Sequence, residues 1–201
     1  MNGQIAKILH SGAGIALALR RLMSAEPTTE DTPGPTRLRV VGTGQFAVSA
    51  DPDDTLITYG LGGSLAVTAY DRVARVGALV HALTPVTTVN REESQRSPAR
   101  FVETGVTRML EAMCARGARK DRVEIRAAGG ARPTGTDECF AVGRRNVVAL
   151  KKVLWQHGML IRTHDVGGSV TRVLSLCIED GRVEVATPTA SRALGGDLPW
   201  F

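Results

Sequence analysis

The stretch Thr58-Tyr59-Gly60-Leu61-Gly62-Gly63-Ser64-Leu65-Ala66-Val67-Thr68-Ala69-Tyr70-Asp71 decides how this chain folds and where its chemistry lies. Thr55 to Tyr59 reads as one strand and the glycines as a tight turn. From Leu65 to Tyr70 the residues Leu65, Val67 and Ala69 alternate with Ala66, Thr68 and Tyr70 at the period of a second strand. Gly77 to Leu83 is its expected return partner. In an antiparallel hairpin opposed residues share a constant index sum. A turn over Asp71 to Ala74 therefore sets Tyr70 opposite Arg75 and Ser64 opposite His81. Opposed side chains have Cβ atoms about 4.5 to 5.5 Å apart on one sheet face, within reach of a hydroxyl-to-imidazole hydrogen bond.

Upstream, Arg37 to Gly42 and Phe46 to Ser49 are short strands joined through Gly-Thr-Gly, and Asp51 to Asp54 is a turn. Downstream, Ala99 to Arg116 carries Val102, Val106, Met109 and Met113 on one helical face, with Gly117 as its stop. Val123 to Ala128 is a strand ending at Gly129-Gly130. Asn146 to His157 is a second helix on which Val147, Leu150 and Leu154 share a face, and His157 is expected as a surface residue favoured by the helix dipole. Leu160 to Val166 is a strand, and Val170 to Ile178 pairs with Arg182 to Val185 as a hairpin. This order predicts an α+β (mixed α/β) domain with a largely antiparallel or mixed β core, in two packed sheets, flanked by helices.

The domain limits follow from composition. Residues 1–36 form an extension and linker: a short helix-like stretch ends by Met23, and Ala25 to Thr36 is rich in Pro, Thr, Glu and Asp. Arg20-Arg21 stands where a signal peptide would need its cleavage region, so secretion is not expected. Residues 37–186 are the folded domain, and 187–201 a tail. With 201 residues, 43% apolar and 22% charged, the chain has the make-up of an ordinary soluble domain, and no apolar run nears the roughly 20 residues of a membrane helix. A cytoplasmic protein without membrane insertion is expected. Cys114, Cys139 and Cys177 lack CxxC spacing and read as buried thiols. The net charge of +5 is spread over scattered pairs, Arg20-Arg21, Arg144-Arg145 and Lys151-Lys152, without interleaved aromatics; they read as solvated helix faces and not as a nucleic-acid surface.

Gly60-Leu61-Gly62-Gly63-Ser64-Leu65 is not a phosphate cradle, because Leu65 occupies the third glycine position of a dinucleotide fingerprint and the turn leads into a strand. His10, His81, His157 and His164 are isolated from thiolates and carboxylates, so no metal is expected. Acyl-transfer chemistry remains. Two glycines before Ser64 allow a turn that exposes its hydroxyl and gathers backbone N–H groups, as an oxyanion hole requires. His81 would act as base and Thr58 could orient the imidazole. From composition and spacing alone, a serine in a turn beside a core histidine is the reading the residues favour.

Several motifs in order resemble the CheD chemoreceptor glutamine deamidases of bacterial chemotaxis. They are Leu56-Ile57-Thr58-Tyr59-Gly60-Leu61-Gly62, Tyr70-Asp71, Ala74-Arg75-Val76-Gly77 with His81, Arg100-Phe101-Val102-Glu103-Thr104, Gly129-Gly130-Ala131, Gly143-Arg144-Arg145-Asn146-Val147 and Asp165-Val166-Gly167-Gly168. The resemblance implies hydrolysis of receptor glutamine side-chain amides to glutamate and ammonia, in the cytoplasm and without a cofactor. It implies methyl-accepting chemotaxis receptors as partners and, for some members, a CheC-type phosphatase. It also assigns Thr58, His81 and the nucleophile position, where the family pattern Thr-x-Gly-Leu-Gly-Ser-Cys has cysteine and this chain has Ser64, preceded by Gly63. Oxygen in place of sulfur implies weak deamidation. The alternative is a catalytically inactive member that binds receptors or CheC-type partners as an adaptor.

Overall fold

The computed structural model describes residues 37–85, 95–132 and 142–195. The expected extension over residues 1–36 lies outside them, as do Cys139 and most of the polar loop after Pro85. The elements in chain order are β1 (Arg37–Val40), β2 (Phe46–Ser49), β3 (Asp54–Leu61), β4 (Leu65–Asp71), β5 (Val76–Ala82), a single 3-10 turn at Pro98–Arg100, α1 (Val102–Cys114), β6 (Val123–Gly129), α2 (Val142–Gln156), β7 (Ile161–Val166), β8 (Arg172–Cys177), β9 (Val183–Ala186) and β10 (Ser191–Ala193). They build two five-stranded sheets, ordered β1-β3-β8-β9-β10 and β2-β5-β4-β6-β7. The β1–β3 and β6–β7 pairs are parallel and the others antiparallel, so the fold is the α+β, mostly β architecture expected.

Alternation along β4 explains the layering. Leu65, Val67 and Ala69 pack with Val102, Val106, Met109, Leu110 and Met113 of α1 and with Leu150 and Leu154 of α2. Ala66 and Tyr70, on the opposite face, pack with Leu56, Leu174, Leu176 and Val185 of the other sheet. β4 is therefore covered on both faces and buried along its whole length. Gly77 follows from the same packing: a Cβ there would press on Ile178, Leu176 and Tyr70 in the inter-sheet layer.

The hairpin register differs from the expected one. Tyr70 faces Gly77, Asp71 faces Val76, and His81 stands opposite Ala66, not Ser64. Asp71 causes the shift by remaining in its strand, where its carboxylate accepts the amides of Val73 and Ala74 at 2.9 and 3.0 Å. Arg75 closes the loop in the left-handed region at φ 53°. The slip is two residues, so side-chain parity survives, and Ser64 and His81 become diagonal neighbours on the same face. The backbone N–H of Arg119 and the guanidinium of Arg122 also reach Asp71. Burial alone would raise the carboxyl's pKa, but these donors outweigh it and hold it at about 2.

Other departures are local. Ser191–Ala193, expected in a tail, pairs antiparallel with β9 and ties back through Arg192 to Asp165 at 2.8 Å. Cys114 is exposed and Cys177 half-buried, so these thiols are not the buried pair expected. His157 touches Thr107 and Lys120, both at 3.2 Å, and burial followed by the Lys120 charge lowers its pKa. A charge-neutral contact between helices describes it better than a dipole-favoured cation. Among the described residues no helix is long and apolar enough to cross a membrane.

Candidate active site

The site lies at one end of the inter-sheet layer. Along β3, Leu56 and Thr58 face that layer, and a register shift against β8 falls between Thr58 and Leu61. Gly60, at φ 71°, accommodates this bulge. The extra residue reverses parity, so Leu61 also points inward although it is an odd number of residues from Thr58. Thr58 thus reaches across from one sheet to His81 on the other, and the glycine turn brings Ser64 to the same imidazole.

Three contacts make a chain. Thr58 Oγ1 donates to the Val41 carbonyl at 2.7 Å, lies 2.8 Å from His81 Nδ1, and His81 Nε2 lies 2.9 Å from Ser64 Oγ. A threonine hydroxyl has one proton, and Val41 takes it. Toward His81, then, Thr58 can only accept, which puts the ring proton on Nδ1 and leaves the Nε2 lone pair facing Ser64. The serine hydroxyl donates to it. Thr58 is fully buried and His81 2% exposed. Burial lowers the imidazole pKa to about 4, so the ring is neutral at physiological pH. This is the protonation state a base needs before it accepts a hydroxyl proton.

The turn carrying Ser64 is held by its carbonyls. Gly62 O accepts from Ala131 N at 2.7 Å, Gly63 O from Asn146 Nδ2 at 2.9 Å and Ser64 O from Gly130 N at 2.8 Å. In a planar trans peptide the N–H opposes the preceding C=O. The amides of Gly63 and Ser64 consequently point away from these anchors. Asn146 spends its second proton on Leu83 O at 3.0 Å, so one side chain joins the residue before Ser64 to the strand end after His81. Among the described residues its own buried Oδ1 has no hydrogen-bond partner.

Sequence reasoning gives Asn146 no role in the site and reads Gly129-Gly130 and Gly167-Gly168 only as tight turns. Gly129 and Gly130 have φ of 112° and 60°, and a Cβ on Gly143 would overlap the Gly130 backbone. The absence of side chains at Gly130 and Gly143 is what lets α2 approach the Ser64 turn. Gly167 N continues the stack by donating to Gly129 O at 2.9 Å. A signal for Asn146 was present: it lies four residues before Leu150 and seven before Val153, a polar residue on the helix's apolar stripe. Among the described residues no group of three or more His, Cys, Asp or Glu side chains could hold a metal ion.

The family model for CheD chemotactic sensory transduction matches residues 83–187. A probable chemoreceptor glutamine deamidase CheD of Solibacter usitatus is 35% identical over 144 residues, covering 72% of this chain and 85% of its own. The chain belongs to the CheD family. CheD relatives from Symbiobacterium thermophilum (37% identical over 154 residues, 75% of this chain and 93% of the relative) and Pyrococcus abyssi (36% over 166 residues, 81% and 96%) bear the same descriptive name. The CheD model starts two residues after His81, but an aligned stretch of 144 residues has to begin at or before Thr58 to fit within the chain. The likeness to whole CheD proteins therefore includes the segment that carries Thr58, Ser64 and His81.

Proposed function

We propose that this CheD-family chain is a slow protein-glutamine amidohydrolase acting on the cytoplasmic helices of chemoreceptors, with its activity in residues 37–186. The observation that carries the reading is the hydrogen-bond chain from Val41 through Thr58 and His81 to Ser64, which presents an acceptor nitrogen to a hydroxyl at 2.9 Å. Ser64 Oγ attacks the glutamine carboxamide carbon while His81 Nε2 takes its proton. The tetrahedral oxyanion is received by the backbone N–H groups of Gly63 and Ser64, since the Gly62 N–H already donates to the Gly60 carbonyl at 2.9 Å. His81 returns the proton to the departing nitrogen, ammonia leaves, and an ester on Ser64 remains. Water then attacks that ester with His81 as base, releasing glutamate and restoring Ser64.

Turnover is limited by the match between base and nucleophile. An imidazole of pKa about 4 is a weak acceptor, and a hydroxyl is far less acidic than a thiol, whose reference pKa is about 8.5. Among the described residues, the imidazolium formed during attack is supported by the Thr58 hydroxyl and by no carboxylate. The test is ammonia release from a receptor cytoplasmic fragment. The chain as it stands is expected to release ammonia slowly, Ser64→Cys at least about 10-fold faster, and Ser64→Ala and His81→Ala not at all. A second reading, favoured by the oxygen at the family's sulfur position, is an adaptor that engages receptors or a CheC-type phosphatase without chemistry. Absence of ammonia release from both the chain and Ser64→Cys, with receptor binding intact, would replace the first reading by the second.

A further inference from the structure

Asn146 is fully buried on the face of α2 that also carries Leu150 and Val153. A polar side chain there needs its groups satisfied, and they are satisfied unevenly. Nδ2 donates to Gly63 O at 2.9 Å and to Leu83 O at 3.0 Å, whereas among the described residues Oδ1 has no partner. The two carbonyls fix which end of the amide is nitrogen, since an oxygen turned toward them would meet no proton. The orphaned Oδ1 is a cost of aiming both protons at Gly63 and Leu83.

The two acceptors differ in how firmly they are held. Leu83 N donates to Arg100 O at 2.9 Å, and two residues earlier His81 is fixed through its own backbone, its N–H on Gln45 O at 3.0 Å and its carbonyl on Gly44 N at 2.8 Å. Leu83 O is therefore an anchored point, and Asn146 braces Gly63 against it. We propose that Asn146 is a positioning residue for acyl transfer: by holding the Gly63 carbonyl it fixes the Gly63–Ser64 peptide with the Ser64 N–H turned to the oxyanion. The inference rests on the acyl-transfer step of the reading above and adds the side chain that sets one arm of its oxyanion hole. A trans peptide sends its N–H opposite to its C=O, so a pinned carbonyl is a pinned donor. The bond into Gly63 O also polarises that peptide and makes its N–H a stronger donor. Without Asn146 the plane can turn, because glycine at position 63 permits it. The Ser64 carbonyl, held by Gly130 N at 2.8 Å, and the His81 ring, held by Thr58, keep hydroxyl and imidazole together.

The experiment uses the full chain carrying Ser64→Cys and compares two reagents. p-Nitrophenyl acetate is attacked at its carbonyl carbon: the S–C bond forms, an oxyanion develops, and its collapse expels p-nitrophenolate and leaves a thioacetate on position 64. Iodoacetamide is attacked at its methylene carbon, iodide leaves, and no oxyanion forms. Peptide mass spectrometry follows both reactions at position 64. Adding Asn146→Leu, which keeps the branched outline and removes the orphaned Oδ1, should slow acetylation at least about tenfold and leave alkylation within about twofold. Asn146→Ala is the second variant, and thermal unfolding checks that each one folds. Equal acetylation with and without Asn146 overturns the proposal, and so does a parallel fall in both reactions, the mark of a general loosening of the site. No acetylation of position 64 in Ser64→Cys itself overturns the oxyanion hole and the role of Asn146 with it. Ammonia release from a receptor cytoplasmic fragment separates this role from the glutamine reading. Selective loss of acetylation, with no ammonia from Ser64→Cys, keeps the role and removes glutamine hydrolysis. Ammonia released at the same kcat by Ser64→Cys with and without Asn146 removes the role and keeps the hydrolysis.

Discussion

Replacing Thr58 by valine removes one hydroxyl of nearly unchanged volume, and its consequences follow from the two bonds that hydroxyl makes. Its proton goes to the Val41 carbonyl at 2.7 Å and its lone pair faces His81 Nδ1 at 2.8 Å. Thr58 is fully buried and His81 nearly so, so water does not replace either bond. Each orphaned buried group costs about 1 to 3 kcal/mol, giving a loss of about 2 to 6 kcal/mol for Thr58→Val. Thr58→Ser keeps the hydroxyl and loses one methyl group, a cost of about 1 kcal/mol. Urea unfolding measures the difference, and nitrogen-15 NMR of the imidazole reports the tautomer. In the parent and in Thr58→Ser the proton should sit on Nδ1. In Thr58→Val that preference should be lost, and ammonia release should fall with it because Nε2 no longer presents a fixed lone pair to Ser64. If Thr58→Val unfolds at the same urea concentration as Thr58→Ser and keeps its proton on Nδ1, the hydroxyl does not orient His81 and the reasoning fails.

Three further outcomes are expected. His81 binds a proton near pH 6.5 when unfolded and near pH 4 when folded, so the unfolded state holds more protons between these values; stability should fall by about 3 kcal/mol as pH drops from about 6.5 to about 4, with most of that slope absent from His81→Gln in pH-dependent urea unfolding. Asp71, held at about 2 by Arg122 and three backbone amides against its burial, contributes about 2 kcal/mol that is present above about pH 4 and lost as pH falls through about 2; acid titration of stability in Asp71→Asn should lack this separate, lower step. Alanine usually stabilises a helix relative to glycine by about 1 kcal/mol, but Gly143→Ala sets a Cβ against the Gly130 backbone and should destabilise by about 3 kcal/mol or more in thermal unfolding; an alanine variant as stable as the parent would show that α2 does not need that approach.

Much of the fold was legible because burial enforces periodicity. The alternation of Leu65, Val67 and Ala69 against Ala66 and Tyr70 separates the layer under the helices from the layer between the sheets, and Val102, Val106, Met109 and Met113 are the fully buried face of α1. Turns were less legible. The hairpin slipped by two residues because Asp71 serves its own turn from within the strand, a local hydrogen-bonding choice that no hydrophobic pattern encodes. Ser191–Ala193 was missed because an exposed edge strand of three residues has no buried face to create a period.

For the candidate site, the sequence by itself determined which residue types were present and, through strand parity, that Ser64 and His81 share a face. A two-residue error in register leaves that conclusion intact, whereas an error of one would have reversed it. Only the tertiary structure decided the rest. Thr58 belongs to the opposite sheet, and whether it meets His81 depends on how two sheets stack and on a one-residue bulge at Gly60, both set by packing across the core. The same holds for Asn146, whose amide joins Gly63 and Leu83 from a helix more than 60 residues downstream. Side-chain spacing along a strand is local and survives in one dimension. The tautomer of His81 and the pinning of the Ser64 turn arise from hydrogen bonds between segments that meet only when the chain has folded.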